Sequence, residues 1–317
     1  MPKRKVALVT GAEGFIGSNL VNFLQARGWS VIGSYLARSQ GSLSTNSKVE
    51  FVQCDLRNGQ RVLQLINEYQ PSHVFHLGAQ SLPMVSWSDP VRTFESNIMG
   101  SLYLFEAVRQ MRTKPVVVSA CSSAEYGYVP SSRIPVKEDE PLHPLHPYGI
   151  SKACLDLLAR EYFLDYKIPI VNLRLFNTTG PGKTDDAPSD FVRQLVRIKK
   201  GLQPPTIEVG NLKPRRAFLD VRDTVRGFYL AALRGAPGEA YNLCATSTQQ
   251  IGQLLRTAIR LSGVKPKIQT SSRLIRPSDE KIIFGNTDKF TKKTGWKPLQ
   301  SIEETLSSML KYWENAL

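Results

Sequence analysis

The sequence is poor in the residues that form covalent cross-links and metal centres. Its 317 residues include only four cysteines and four histidines, and no two cysteines form a CxxC pair. Scattered cysteines of this kind are typical of reduced thiols in a cytoplasmic protein. His143 and His146 lie close together in His-Pro-Leu-His-Pro, but no cysteine or carboxylate cluster accompanies them. We therefore predict no metal site.

Long apolar runs are also missing. No run reaches the roughly 18 residues that a membrane helix needs. The first residues, Met-Pro-Lys-Arg-Lys, lead directly into an apolar segment that resembles a strand. We therefore expect no membrane span, no signal peptide and a cytoplasmic location.

Acidic residues are fewer than basic ones. The chain has 41 Lys and Arg against 27 Asp and Glu, a net charge of +14, and the excess lies in residues 193–216 and 256–297. A basic surface can attract nucleic acid or a small diphosphate. Because the sequence has no nucleic-acid motif and no aromatic–basic repeat, we do not expect nucleic acid as a partner.

Apolar runs alternate with helical periodicity through the first half of the chain. This alternation predicts an α/β fold, a Rossmann-like doubly wound parallel sheet with a smaller C-terminal α/β substrate lobe. The predicted strands are 6–10, 30–34, 50–53, 73–77, 115–119 and 169–175. The predicted helices are 15–27, 58–69, 91–112 and 148–166. We assign residues 1–176 plus about 217–244 to the dinucleotide-binding domain, and about 177–216 plus 245–317 to the substrate lobe.

A glycine-rich loop follows the first predicted strand. It reads Gly11-Ala-Glu-Gly14-Phe-Ile-Gly17. Glycines at this spacing let backbone N–H groups approach a pyrophosphate at a helix N-terminus. A tight strand–helix turn without a ligand is the alternative.

The end of the second predicted strand bears on the choice of dinucleotide. A site for NAD usually has Asp or Glu there, but no acid occurs from residue 30 to 49. Arg38, with Ser34 and Ser39, could bind a 2′-phosphate, or Arg38 could be a solvated loop residue. We therefore predict NADP(H) rather than NAD(H). Asp55 could contact the adenine or cap the helix that follows.

Tyr148 and Lys152 are spaced to share one face of a helix. An ammonium close to a phenol favours the phenolate and lowers the pKa of the tyrosine, which suits acid–base chemistry at a hydroxyl or ketone. Ser122, which follows a strand, could hydrogen-bond the reacting oxygen. An ordinary surface pair on a helix is the alternative. His76, at the end of a buried strand, is predicted to be structural.

These motifs make the chain similar to the extended short-chain dehydrogenase/reductases that modify nucleotide sugars, over nearly its whole length. The markers are Gly11–Gly17, Asp55-Leu56, His76-Leu-Gly-Ala79, Asn97, Ser122, Tyr148 with Lys152, and Asn177. Within that family the chain most resembles the GDP-mannose branch. The segments that carry this similarity are Leu175–Gly182, Val209–Leu212, Phe218–Asp223, Tyr241–Cys244, Arg276–Ser278 and Thr294–Pro298.

The resemblance implies a set of site residues. The catalytic set is Ser122, Tyr148 and Lys152. The cofactor set is Gly11, Gly14, Phe15, Ile16, Gly17, Arg38, Asp55, Leu56, Leu77, Ala79, Tyr148 and Lys152. The substrate set is Ser81, Ser123, Glu125, Asn177, Val192, Arg216 and Arg276, the two arginines being suited to a diphosphate or else solvated surface charges. The resemblance also implies a homodimer formed through a four-helix bundle of helices near 97–112 and 149–166.

One position bears on the reaction. The 4,6-dehydratases of this family place a carboxylate two residues after the catalytic serine or threonine, where this chain has Ala124. Glu125 is displaced by one residue, and on a strand-like segment that step points to the opposite face. We therefore predict NADPH-dependent reduction of a GDP-linked 4-keto-6-deoxy-hexose at C4. The alternatives are dehydration of GDP-mannose with Glu125 as the base, another nucleotide-sugar epimerase or dehydratase, and a non-catalytic NADP- or nucleic-acid-binding protein.

Overall fold

The computed structural model describes residues 5–37, 49–274 and 282–317. The first half of the chain alternates strands and helices. These are β1 (Val6–Thr10), α1 (Phe15–Gln25), β2 (Ser30–Tyr35), β3 (Val49–Gln53), α2 (Gly59–Tyr69), β4 (His73–His76), α3 (Pro83–Ser88), α4 (Pro90–Phe94), α5 (Gly100–Gln110), β5 (Val116–Ser122), α6 (Pro147–Tyr166) and β6 (Ile170–Leu175).

The second half has shorter strands between its helices. These elements are β7 (Thr178–Thr179), α7 (Ala187–Lys199), β8 (Thr206–Val209), β9 (Arg215–Arg216), β10 (Leu219–Asp220), α8 (Val221–Arg234), β11 (Ala240–Leu243), β12 (Gln249–Gln250), α9 (Ile251–Ser262), β13 (Lys267–Thr270), β14 (Ile282–Ile283), α10 (Asp288–Thr294) and α11 (Ile302–Ala316).

The main sheet has seven strands in the order β11-β6-β5-β4-β1-β2-β3, and every neighbouring pair is parallel. The chain builds outward from β1 to β3 and then returns to β4 on the other side of β1. The carboxyl ends of β1 and β4 therefore border a topological switch point, the crevice in which ligands of such sheets bind. The predicted doubly wound parallel fold is confirmed.

Helices cover both faces of this sheet. On one face α1 and α8 contribute Leu20, Leu24 and Phe228 to an apolar core with the strand residues Val9 and Phe75. On the other face α2, α5 and α6 supply a second core. Because both faces are covered, the strands are almost continuously apolar, which explains their clear sequence signal.

A third core lies outside the main sheet. It is formed by α7, α9 and α11 packed with β8, and β8 pairs in parallel with β13. Between β8 and α9 the chain returns to the main sheet through α8 and β11, and β11 pairs with β6. The exact division into two domains stays a prediction.

One predicted helix is interrupted. The pattern over 91–112 predicts a single helix, but the chain forms α4, a π-helical turn over Glu95–Met99 and then α5. The turn contains Asn97, which is 1% exposed. Among the described residues, no helix has the length and apolar character to cross a membrane.

Candidate active site

The glycine loop between β1 and α1 is compact enough to exclude side chains. Gly11 has φ +66°, and the N–H of Gly14 donates to the Gly11 carbonyl oxygen at 3.0 Å. A Cβ at Gly17 would lie 2.0 Å from that same oxygen, and a Cβ at Gly11 would lie 2.8 Å from the Cα of Gly78. No side chain caps α1, which begins after Gly14. The loop thus presents backbone at an uncapped helix N-terminus, a fit for a pyrophosphate.

The loop after β4 is bonded to the end of β1. The Thr10 hydroxyl accepts hydrogen bonds from the N–H groups of Leu77 and Gly78 at 3.1 and 3.0 Å. Asn97 holds Gln80, two residues further along the same loop. Its side-chain amide accepts from the Gln80 N–H at 2.7 Å and donates to the Gln80 carbonyl at 2.9 Å. The π-helical turn therefore fixes a loop that borders the crevice.

Most of the predicted cofactor residues lie in or next to the loops that follow β1 and β4. Gly11, Gly14, Phe15, Ile16 and Gly17 form the loop and the first turn of α1, and Leu77 and Ala79 lie in the half-buried loop after β4. Leu56 contacts that loop, since its Cδ1 lies 2.7 Å from the position of a Cβ at Gly78. Arg38 lies outside the described residues, as does Ser39.

Asp55 has a different role from the capping role considered for it. The N-cap of α2 is Asn58, whose side chain accepts from the Arg61 N–H at 3.0 Å. The Asp55 carboxylate instead accepts from the side chain of Arg57, at 2.7 Å in the shortest contact. This bond holds the pKa of Asp55 below its usual value. The capping alternative is therefore wrong, while a contact with adenine stays a prediction.

Ser122, Tyr148 and Lys152 meet where β5 and α6 approach each other. Pro147 is the first residue of α6, and His146 caps the helix by accepting from the Gly149 N–H at 3.0 Å. A Cβ at Gly149 would lie 2.7 Å from the Ala124 carbonyl oxygen, so glycine allows α6 to pack closely on the segment after β5.

The tyrosine is a protonated phenol at neutral pH. Burial raises the pKa of Tyr148 to about 12, and the nearby Ser122 side chain opposes this rise. Lys152 is 4% exposed, and its Nζ donates to the Ala120 carbonyl at 2.7 Å. Burial lowers the pKa of Lys152. Burial is the dominant effect at Tyr148, and the lowering of its pKa by the Lys152 ammonium stays a prediction.

The sequence suggested that Glu125 lies on a strand-like segment, but the structure places it in a turn. Residues Ser123–Glu125 form a 3-10 turn, in which the Ser122 hydroxyl accepts from the Ala124 N–H at 3.2 Å. The Glu125 carboxylate turns back to accept from the Ser122 N–H at 2.7 Å. Its side chain is 0% exposed. The expected contact between this carboxylate and substrate is therefore wrong, since capping the turn directs it into the protein.

A buried charge cluster lies behind Ser122. The Arg174 guanidinium is 2.6 Å from Asp156 and 3.4 Å from Glu125, and it also donates to the Tyr126 hydroxyl at 2.9 Å. Burial, aided by the charge of Asp156, raises the pKa of Glu125 well above its usual range, and Arg174 opposes this rise. Cys121, Glu125 and Asp156 bring three potential metal ligands within 4.8 Å of one another. The positive charge at this cluster is supplied by Arg174.

The sequence reasoning missed this cluster. Its one signal was a charged residue in the apolar run Ile170-Val-Asn-Leu-Arg-Leu175, because a buried charge requires a partner.

The predicted substrate residues are only partly brought together. Ser81 is exposed in the loop after β4, and Ser123 is half-buried beside Ser122. Asn177 follows β6, and its side-chain Nδ2 is buried with no hydrogen-bond partner among the described residues. Arg216 lies half-buried on β9, and its Nη1 donates to the Arg215 carbonyl at 2.9 Å. Arg276 lies outside the described residues.

Val192 is a core residue instead of a substrate contact. It lies on α7 and is 0% exposed, packed in the third core with its neighbours Leu195 and Val196. The predicted substrate contact therefore cannot come from its side chain, because α7 turns this face toward α9 and α11.

The sequence and the fold of this chain are similar to those of known nucleotide-sugar enzymes. A family profile described as GDP-mannose 4,6 dehydratase matches residues 8–309. The chain is 29% identical to the GDP-6-deoxy-D-mannose reductase of Pseudomonas aeruginosa over 246 residues, 77% of this chain and 81% of that protein. The NADPH complex of RMD from Pseudomonas aeruginosa superposes with a TM-score of 0.86 at 27% identity, covering 99% of this chain and 100% of that one. The UDP-glucose 4-epimerase of Thermus thermophilus in complex with NAD gives a TM-score of 0.86 at 28% identity, covering 98% and 100%.

Proposed function

This chain belongs to the GDP-mannose 4,6-dehydratase family of extended short-chain dehydrogenase/reductases, and on that premise we propose that it is a nicotinamide-dependent reductase of a nucleotide sugar. The substrate of the proposal is a GDP-linked 4-keto-6-deoxy-hexose, and the product is a GDP-rhamnose-type sugar. The similarity to a GDP-6-deoxy-D-mannose reductase supports this choice within the family.

The observation that carries the proposal is the turn after β5, where position 124 is alanine and the Glu125 carboxylate is buried against the Ser122 N–H, so that Tyr148 is the acid–base group available to the substrate. With its pKa raised to about 12 by burial, the Tyr148 phenol keeps its proton at neutral pH. A ketone reductase needs a proton donor at the reacting oxygen, whereas an enzyme that begins by oxidising an alcohol needs a base. The Tyr148 phenol can supply that proton in the reductive direction.

The proposed chemistry is a balanced hydride and proton addition. A reduced nicotinamide dinucleotide held at the Gly11–Gly17 loop would supply the hydride for the new C–H bond at C4 and would itself be oxidised. The Tyr148 O–H bond breaks as the phenol donates its proton to the oxygen at C4. The Ser122 hydroxyl, at the end of β5, orients that oxygen as a second hydrogen-bond donor. Buried Lys152 positions the strand end through its bond to the Ala120 carbonyl.

The dehydratase alternative is weakened at Glu125. Removal of the C5 proton needs a carboxylate that reaches the sugar. Position 124 carries alanine, and the Glu125 carboxylate is 0% exposed and bonded to the Ser122 N–H. Dehydration with Glu125 as the base would require this turn to open.

The contacts with the nucleotide and the diphosphate are also proposals. The buried, unpartnered Asn177 Nδ2 offers a donor to the substrate, and Arg216 supplies positive charge on β9. The specificity for GDP and a cytoplasmic location belong to the proposal as well.

A homodimer is part of the same proposal. Three apolar side chains on α6 are exposed at intervals of seven residues. They are Ile150 at 40%, Leu157 at 61% and Leu164 at 47%. Residues seven positions apart share a helix face. This apolar stripe supports the four-helix bundle that the family resemblance implies.

Product analysis tests the function. The purified protein is incubated with a reduced nicotinamide dinucleotide and the 4-keto sugar generated in situ from GDP-mannose. A reductase oxidises the dinucleotide in proportion to the 6-deoxy-hexose formed. A dehydratase would instead convert GDP-mannose alone to the 4-keto sugar with no net change in the reduced dinucleotide, and that outcome would contradict the proposal.

Two tyrosine variants localise the proton donor. Tyr148→Phe is expected to lower kcat by about 10²- to 10⁴-fold, the usual contribution of general acid catalysis, while dinucleotide binding is retained. Tyr128→Phe is the matched control, because Tyr128 is 69% exposed. An unchanged kcat in Tyr148→Phe would refute the assigned role.

A further inference from the structure

A carboxylate stands at the carboxyl end of β2 although β2 itself supplies none. Glu13 lies in the glycine loop, and its Oε1 accepts from the backbone N–H of Leu36 at 2.8 Å. Leu36 follows the last residue of β2 directly. In doubly wound folds the acid that recognises the adenosine ribose of NAD comes from the β2 end itself. Here the preceding loop delivers an acid to the same place.

Hydrogen bonds to the backbone at the end of β2 fix the position of this acid. The Leu36 carbonyl accepts from the Gln53 side chain at 3.1 Å, which holds the peptide that Glu13 contacts. The loop is tied to the same strand end, since the Ala12 N–H donates to the Ser34 carbonyl at 3.0 Å. Glu13 is therefore held at two points. The preceding residue, Ala12, is bonded to Ser34, and the Glu13 carboxylate itself is bonded to Leu36.

The second carboxylate oxygen is left without a partner. Glu13 Oε2 is buried and makes no hydrogen bond within residues 5–37, 49–274 and 282–317. A buried acceptor without a donor is costly, and native structures rarely leave one unexplained. The atom can accept a hydrogen bond from a hydroxyl but not from a phosphate oxygen that carries no proton.

We propose that Glu13 determines cofactor specificity, by accepting a hydrogen bond from the adenosine ribose of NAD(H) and by repelling the 2′-phosphate of NADP(H). This inference rests on the proposed nicotinamide site. It reverses the sequence-based prediction of NADP(H), which depended on the lack of an acid between residues 30 and 49. That argument considered only residues next to β2 in the chain, whereas Glu13 is 23 positions from Leu36.

Direct binding tests the inference without any sugar substrate. Dissociation constants for NADH and NADPH are measured by fluorescence titration of the full chain. We expect NADH to bind about 10-fold or more tightly than NADPH, because a dianionic phosphate close to a partly buried carboxylate is strongly unfavourable. Tighter binding of NADPH by the unmodified protein would overturn the inference, whatever the variants do.

Two isosteric variants isolate the charge. Glu13→Gln keeps an amide oxygen for the Leu36 N–H and removes the negative charge, so we expect the preference for NADH to fall by about 10-fold or more, mainly through tighter binding of NADPH. Glu68→Gln makes the same chemical change at an exposed residue of α2 and should leave the ratio unchanged. An unaltered ratio in Glu13→Gln would overturn the inference.

The outcome also separates this inference from the proposed function. If the unmodified protein binds neither dinucleotide, the nicotinamide-dependent function fails and the role of Glu13 fails with it. If both dinucleotides bind and NADPH is preferred, only the role of Glu13 fails. Competition by 5′-AMP and by 2′,5′-ADP repeats the comparison with the adenosine end alone.

Discussion

His76 should make the stability of this protein fall on acidification, and replacing it should remove a defined part of that fall. The side chain is 2% exposed at the end of β4. Burial lowers its pKa to about 3, and the positive charge of Lys152 contributes in the same direction. The imidazole is therefore neutral in the folded protein throughout the ordinary pH range.

The hydrogen bonds of His76 select one neutral tautomer. The Thr10 hydroxyl already accepts from two backbone N–H groups, so its own proton must go to His76 Nδ1, 3.0 Å away. His76 Nε2 then carries the proton and donates to the Ser101 hydroxyl at 2.8 Å, and Ser101 donates onward to the Asn97 carbonyl. A second proton on Nδ1 would face a hydroxyl that has no acceptor capacity left.

The magnitude follows from linkage. The unfolded chain takes up a proton at His76 near the ordinary pKa of ~6.5, whereas the folded protein does not until pH is near 3. Stability supported by the neutral imidazole is thus complete above ~6.5 and is lost as pH falls toward 3. Between about pH 7.5 and about pH 4.5 the loss is ~2.7 kcal/mol, since about two pH units below 6.5 are crossed and each is worth ~1.36 kcal/mol.

Urea unfolding at those two pH values, on the unmodified protein and on His76→Gln, measures this loss. The fall in unfolding free energy should be smaller in the variant by about 2.7 kcal/mol. His73, whose pKa burial lowers to about 4, contributes to both proteins and cancels in the comparison. Equal falls in the two proteins, or an imidazole resonance of His76 that titrates near its ordinary pKa in the folded state, would refute the reasoning.

Three further substitutions test other parts of the site. Gly17→Ala should weaken dinucleotide binding by about 10-fold or more in a titration, because its Cβ would lie 2.0 Å from a loop carbonyl oxygen; undiminished affinity would argue against the glycine cradle. Arg174→Met should lower the urea-unfolding free energy by about 3–5 kcal/mol by leaving the buried Asp156 carboxylate without a counter-charge, and a neutral effect would contradict this. Ser122→Ala should lower kcat by about 10²-fold or more with the fold retained, as steady-state kinetics and circular dichroism would show.

The strands of the main sheet were predictable because burial on both faces gives each a nearly continuous apolar run. The predicted bounds 6–10 and 169–175 agree within one residue with Val6–Thr10 and Ile170–Leu175. The interruption of the predicted helix 91–112 was not predictable in this way. A π-helical turn adds one residue without breaking the apolar pattern, and its cause is tertiary, since Asn97 bonds to Gln80 across the loop.

The residues of the candidate site also differ in how far the local sequence predicts them. Tyr148 and Lys152 were identified because a helix brings positions four apart to one face. Glu13 and Arg174 owe their positions to contacts with distant parts of the chain, at Leu36 and Asp156, so local spacing does not identify their partners. Long-range hydrogen bonds of polar side chains are therefore the part of this site that required a structure.

The turn after β5 shows how local hydrogen bonding can decide between two reactions. Glu125 is the only acid within three residues of Ser122, so it is the natural candidate for a base. Because a 3-10 turn follows Ser122, the carboxylate three residues on is placed to accept from the Ser122 N–H, as in a capping box. A base at this position would have to give up that bond and separate from Arg174 before reaching a sugar. The same bond holds Ser122 in place, so the geometry of this turn supports the proposed reduction over dehydration.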